Sequence, residues 1–162
     1  IDGCSVPVFA IPLANAALGI ARLCDPIGLE TKRAEACRLI TRSMIENPDM
    51  VAGPGQFDTV VMEQGHGKFI CKGGAEGYMV LGIMPGALRP ESPGLGIAFK
   101  IADGDQRNRA RPIVAIQALR AFGLLSDEQI DEYLANFGPR AVTNWAGLEV
   151  GEIRPAFQLE LA

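Results

Sequence analysis

Phe69-Ile70-Cys71-Lys72-Gly73-Gly74-Ala75-Glu76-Gly77-Tyr78-Met79-Val80-Leu81-Gly82-Ile83-Met84 holds two short apolar runs on either side of a glycine-rich turn. A third run follows from Leu95 to Ala102, in which Ile97, Phe99 and Ile101 alternate with Gly96, Ala98 and Lys100. That period of two predicts a strand with one face on a core. The three runs read as strands of an antiparallel meander, because the connections between them are too short for helical crossovers.

Outward from this sheet the pattern turns helical on both sides. Pro12 to Cys24 is rich in Ala and Leu and stops before Asp25-Pro26, which predicts a buried helix ended by a proline. From Glu30 to Asn47, Ala36, Cys37, Ile40 and Met44 fall on one helical stripe, while Lys32, Arg33, Glu35, Arg38 and Arg42 are free to face solvent. A Gly53-Pro54-Gly55 turn leads into Asp58 to Glu63, read as one or two helical turns with an acidic residue near the positive end.

After the sheet, Asp103-Gly104-Asp105 signals a turn with a helix cap in it, and Asn108 to Phe122 is apolar on nearly every side before Gly123. That predicts a second buried helix. Ser126 with Gln129 forms a capping box ahead of Ile130, Tyr133, Leu134 and Phe137, and Gly138-Pro139 stops the run. The segment from Val142 to Leu161 predicts only one short strand. The fold class is therefore α+β, an antiparallel sheet flanked by helices, in a single domain over residues 1–162.

Composition bounds the function. The chain has 162 residues, 48% apolar and 21% charged, which is ordinary globular composition and excludes intrinsic disorder. A net charge of −4 and a pI near 5.0 argue against nucleic acid as a partner. The most apolar stretch, Val6 to Ala21, is broken by Pro7, Pro12 and Asn15 and is too short to span a membrane, so no membrane partner is expected. Cys4, Cys24, Cys37 and Cys71 include no Cys-x-x-Cys pair, which favours a reducing cytoplasm.

Few residues can carry chemistry. His66 is the single histidine, and its neighbours Gly65 and Gly67 make it a solvated loop residue rather than a catalytic base. A phosphate loop ending at Gly67-Lys68 would need glycine at Met62 and a hydroxyl residue at Phe69, and has neither. Lys72-Gly73-Gly74-Ala75-Glu76-Gly77 fits two readings. It is either a strand ending in a glycine turn with a surface lysine, or a strand edge offering backbone N–H groups beside an ammonium. Asp2-Gly3-Cys4 is likewise either an ordinary turn before a buried thiol or part of a site.

Asp2 to Pro7, Gly53 to Thr59, Lys72 to Gly77 and Gly147 to Ile153 together resemble, in order, the bacterial L-asparaginase II family of the thermolabile rhizobial type. The resemblance runs from Asp2 to about Arg154 and covers the C-terminal half of that family. It implies a fold like the serine β-lactamases and glutaminases, with a Ser-x-x-Lys nucleophile in the N-terminal half. None of Ser5, Ser43, Ser92, Ser126, Thr31, Thr41, Thr59 or Thr143 is followed three residues later by lysine, so the chain reads as the C-terminal portion of a longer protein.

The implied activity is conversion of L-asparagine and water to L-aspartate and ammonia through a serine acyl-enzyme. The alternatives are a glutaminase or β-lactamase-like acyl hydrolase, or a nonenzymatic domain that keeps the fold. By resemblance Lys72 and Asp2 are catalytic, Gly74, Ala75 and Glu76 bind substrate, and Cys4 is one ligand of a zinc ion whose other ligands lie outside this chain. Lys72 stands where a Lys-[Ser/Thr]-Gly lysine would be, with Gly73 in place of the hydroxyl residue. No organic cofactor is implied. A surface covered by the other half should be apolar, and a homodimer is expected.

Overall fold

The computed structural model describes residues 5–159. Helix α1 (Leu13–Cys24) and helix α2 (Thr31–Glu46) come first, then a short helix α3 (Asp49–Ala52) and helix α4 (Phe57–Gly65). Strands β1 (Phe69–Gly73), β2 (Tyr78–Ile83) and β3 (Leu95–Lys100) form one antiparallel sheet in that order. Helix α5 (Arg111–Ala121), helix α6 (Asp127–Tyr133) and a hairpin of β4 (Arg140–Thr143) and β5 (Glu149–Ile153) complete the chain. The α+β class and the three-stranded meander stand as the sequence predicts.

Local chemistry sets the ends of these elements. The Glu30 carboxylate accepts the Lys32 and Arg33 N–H groups at 3.2 and 3.4 Å, capping α2. The Ser126–Gln129 capping box forms in full at the start of α6. At the end of α5, Gly123 takes the left-handed conformation, and the Leu124 N–H bonds back to the Leu119 carbonyl.

Register divides the sheet into two unlike faces. Phe69 pairs with Ile83 and Cys71 with Leu81, and Met79 pairs with Phe99, so one face carries the large side chains. It packs against Phe57, Val61 and Met62 of α4 and Ala115, Ile116 and Leu119 of α5, forming the main core. On the opposite face Gly82 pairs with Gly96, and α1 lies across them. A Cβ atom on Gly96 would overlap the α1 backbone at Ala17 and Ala21, and one on Gly82 would overlap Cys24 and lie 2.9 Å from Ile20.

This close approach corrects the picture of α1 as a buried helix. Only Ala16 and Cys24 of α1 are fully buried, because the helix meets the sheet through its small residues and turns Leu13 and Leu18 outward. The stripe expected on α2 is corrected in the same way. Ala34 and Thr41 face inward, Cys37 and Met44 are half-buried, and Ala36 and Ile40 are exposed. The polar Thr41 is tolerated there because its hydroxyl donates to the Cys37 and Arg38 carbonyls of its own helix. Val6, Phe9, Ile11 and Leu39 are exposed too.

β3 departs from simple one-sided burial. Ile97 and Phe99 are only partly buried against the core, while Gly96 and Ala98 are partly covered by α1. The C-terminal segment holds two strands where one was expected. Asn144-Trp145-Ala146-Gly147 closes them into a hairpin, with the Asn144 carboxamide accepting the Ala146 and Leu148 N–H groups. Trp145 at its tip is fully exposed.

Packing of a helix backbone directly on two glycines makes a sharp expectation. Gly96→Ala should lower stability by about 3 kcal/mol in urea unfolding, since backbone on the far side cannot rotate away. Gly19→Ala, on α1 where nothing approaches within 4 Å, should be neutral or slightly stabilising. A loss below about 1 kcal/mol for Gly96→Ala would contradict the described packing.

Candidate active site

The turn between β1 and β2 carries Lys72 to Gly77 and is fixed from three directions. Within the turn, the Gly74 N–H donates to the Tyr78 carbonyl at 2.8 Å and the Tyr78 N–H to the Ala75 carbonyl at 3.3 Å. Glu76 and Gly77 both take left-handed backbone, with φ of 57° and 73°. Glycine is required at 77, because a Cβ there would lie 2.9 Å from the Ile101 carbonyl oxygen.

From below, Asp58 in the first turn of α4 accepts the Gly73 N–H at 2.7 Å. From the side, Arg111 at the start of α5 donates through Nη1 to the carbonyls of Gly74 and Tyr78, the latter at 3.1 Å. The guanidinium is held in turn by buried Asp105, whose Oδ2 lies 3.2 Å from Arg111 Nε. Asp105 also accepts the Ala110 and Arg111 N–H groups at 2.7 and 3.0 Å, which caps α5. It does so from a left-handed backbone, φ 49°, a conformation that costs energy outside glycine and is here stabilised by three hydrogen bonds to its carboxylate. Its own N–H donates to Asp103 Oδ1 at 3.0 Å, so the Asp103–Asp105 turn is closed as well.

Lys72 sits on the sheet face shared with α1, paired across the strand with Val80. Its ammonium donates to the Gly73 carbonyl at 2.6 Å and lies 3.9 Å from Asp58 Oδ2. The side chain is about half exposed, at 52%, which leaves the cation open to an incoming ligand. Gly74, named as a substrate donor, spends its N–H on Tyr78 and its carbonyl on Arg111. Among the described residues no acceptor meets the N–H groups of Ala75 and Glu76, so these two are the donors the turn offers.

The other expected groups divide clearly. Asp2 and Cys4 lie outside the described residues. His66 is exposed at the left-handed end of α4, as a solvated loop histidine should be. Cys24, Cys37 and Cys71 are free thiols. Burial and then the neighbouring Asp58 carboxylate push the Cys71 thiol well above its ordinary range, so it is a core group and not a nucleophile. Among the described residues no group of three or more His, Cys, Asp or Glu side chains is gathered to hold a metal ion. Nor is any helix there long and apolar enough to cross a membrane.

Sequence reasoning picked out the lysine and the glycines but not the charges beneath them. From the sequence alone Asp58 reads as a helix-start acid and Asp105 as a cap, and Arg111 carries no motif. The signal for the last was slight: a basic residue at the N-terminus of α5, where the helix dipole disfavours it, needs a local carboxylate.

A small α+β protein with a half-exposed lysine on a glycine-rich strand end, clamped by buried charges, has the parts of a site for a small anionic or amide ligand. Residues 1–155 match the sequence profile of the L-asparaginase II family, and the chain belongs to that family. This membership carries an asparaginase-type, hydrolytic function on a small-molecule substrate. A search of curated proteins finds no match.

The buried thiols make a pH prediction. Burial, reinforced by Asp25, pushes Cys24 up to about 12 from an ordinary value of 9.0. Between these values the unfolded chain loses the proton first, so the stability tied to the neutral thiol is full below pH 9 and is lost as pH rises toward 12. Urea midpoints should therefore fall above pH 9, and fall less steeply in Cys24→Ala. An identical alkaline slope in that variant would contradict the burial of the thiol.

Proposed function

We propose that this chain forms one wall of an L-asparagine amidohydrolase site, whose serine nucleophile is supplied outside these 162 residues. The observation that supports it is the Lys72 turn, a half-exposed ammonium beside two open N–H groups, in a chain matched over residues 1–155 to the L-asparaginase II family. The fold of the complete protein is read as β-lactamase- or glutaminase-like, and the reaction as two acyl transfers. The serine hydroxyl attacks the side-chain amide carbon of asparagine, its proton passes to the departing nitrogen, and ammonia leaves. Water then cleaves the β-aspartyl ester, restoring the serine and releasing aspartate.

In this scheme Lys72 offers its positive charge to the serine and to the negative charge that develops during attack. The Ala75 and Glu76 N–H groups receive an anionic oxygen of the substrate, either the α-carboxylate or the oxyanion, and Gly74 shapes the turn that aims them. Asp2 is read, on the family resemblance, as a further catalytic residue. Cys4 contributes one thiolate to a zinc ion, a metal that would polarise a nearby oxygen when bound. The remaining ligands come from outside the chain, and none of the steps above passes through the metal. The protein is read as a cytoplasmic homodimer, for which the free, buried thiols of Cys24 and Cys71 and the apolar outer side of α1 give support.

Ammonia release from asparagine, glutamine and a chromogenic lactam tests the reading on the protein produced from its complete gene. Asparagine should be preferred, and Lys72→Ala should lower kcat/KM by at least about 10²-fold. Hydrolysis of the lactam or glutamine alone would favour the rival acyl hydrolases, activity on none would favour a nonenzymatic domain, and a Lys72→Ala variant within a few fold of wild type would remove the lysine from the mechanism.

The 162-residue chain by itself should show no turnover in the same assay. Without the nucleophile and its base, binding and oxyanion donors leave at most a residual rate on the order of 10³-fold over water, below detection. Robust hydrolysis by a 17.2 kDa preparation would refute the serine route.

A further inference from the structure

Among the described residues, Asp58 is the buried charged group that meets the lysine. A carboxylate near the start of α4 is explained in part by the helix dipole. The dipole does not explain why its side chain is only 10% exposed, nor why it faces the sheet. A neutral acceptor would satisfy the Gly73 N–H, so the presence of a charged one points to the cations around it. Lys72 Nζ lies 3.9 Å away from Asp58 Oδ2. On the other side of the strand, the position of a Cβ on Gly73 is 3.3 Å from Arg111 Nη1 and 3.4 Å from Asp58 Oδ2.

Two consequences follow. Gly73 lies between a guanidinium and a carboxylate: a Cβ there would sit tightly against Arg111 Nη1 and in van der Waals contact with Asp58. Moreover, the Lys72 ammonium has three donors. One goes to the Gly73 carbonyl, and a second is drawn toward Asp58, which leaves the third to point away from the strand.

We infer that Asp58 is the positioning residue for Lys72: its carboxylate holds the ammonium against the end of β1 and leaves one donor aimed outward at the reacting groups. This rests on the catalytic reading of Lys72 given above and deepens it. Asp58 touches neither substrate nor nucleophile and acts through the lysine alone.

Asp58→Asn separates this role from simple support of the backbone, because the amide oxygen still accepts the Gly73 N–H while the charge is gone. In the protein produced from its complete gene, the thermal midpoint should stay within a few degrees. Asparagine kcat should fall by about 10- to 10²-fold with KM changed less than about threefold, the scale expected when a reacting group is misplaced by about an ångström. In a Lys72→Ala background the same substitution should have no further effect on kcat. Wild-type kcat in Asp58→Asn, or an equal loss with and without Lys72, would overturn the inference. If Asp58→Asn does not fold, Asp58→Glu, which keeps the charge but moves it by one methylene, takes its place in the same two backgrounds with the same outcomes. A fully active Lys72→Ala overturns the catalytic reading itself, whereas an inactive Lys72→Ala beside a fully active Asp58→Asn overturns only the role of Asp58.

Discussion

Arg111 reaches from the first turn of α5 to the carbonyls of Gly74 and Tyr78, and it is held there by Asp105, a buried carboxylate that also caps the helix. One guanidinium thereby ties the end of a helix to the turn of a hairpin. A cation at a helix N-terminus opposes the helix dipole, and Asp105 offsets that cost while fixing the direction of the guanidinium fork. The turn is thus shaped by charges that its own sequence does not contain. With Asp58 accepting the Gly73 N–H from the opposite side, the backbone from Gly73 to Tyr78 has one arrangement open to it. A lysine at the end of such a strand is carried on a rigid support, which positioning an ammonium for chemistry demands.

The sheet that bears the turn has its own constraint. Large side chains on one face build the core with α4 and α5, and glycines on the other admit α1 at backbone distance. Because α1 spends its small residues on that contact, its large apolar residues face outward. The same arrangement that seats the helix therefore leaves the large apolar residues of α1 exposed.

Much of this was legible in the sequence. Alternation and glycine punctuation placed β1 to β3, and the capping box and Gly123 bounded the later helices, because each depends on residues close together in the chain. The burial of α1 and α2 was not legible. Both helices have apolar residues on more than one side, and the glycines against which α1 packs, Gly82 and Gly96, lie about 60 to 80 residues further on. For the site, Lys72 and its glycines stood out by spacing, and the family resemblance gave them a chemical meaning. Asp58, Asp105 and Arg111 did not stand out, since separations of 15 and 37 residues between Asp58 and Gly73, and between Gly74 and Arg111, leave no local pattern.

In the proposed mechanism substrate lies against the Lys72 turn, and the position of bound product tests this most directly. A crystal structure of the protein from its complete gene, grown with L-aspartate, should show an aspartate oxygen within about 3 Å of Lys72 Nζ or of the Ala75 or Glu76 N–H groups. Aspartate bound in another cleft, with the Lys72 turn facing solvent, would contradict it.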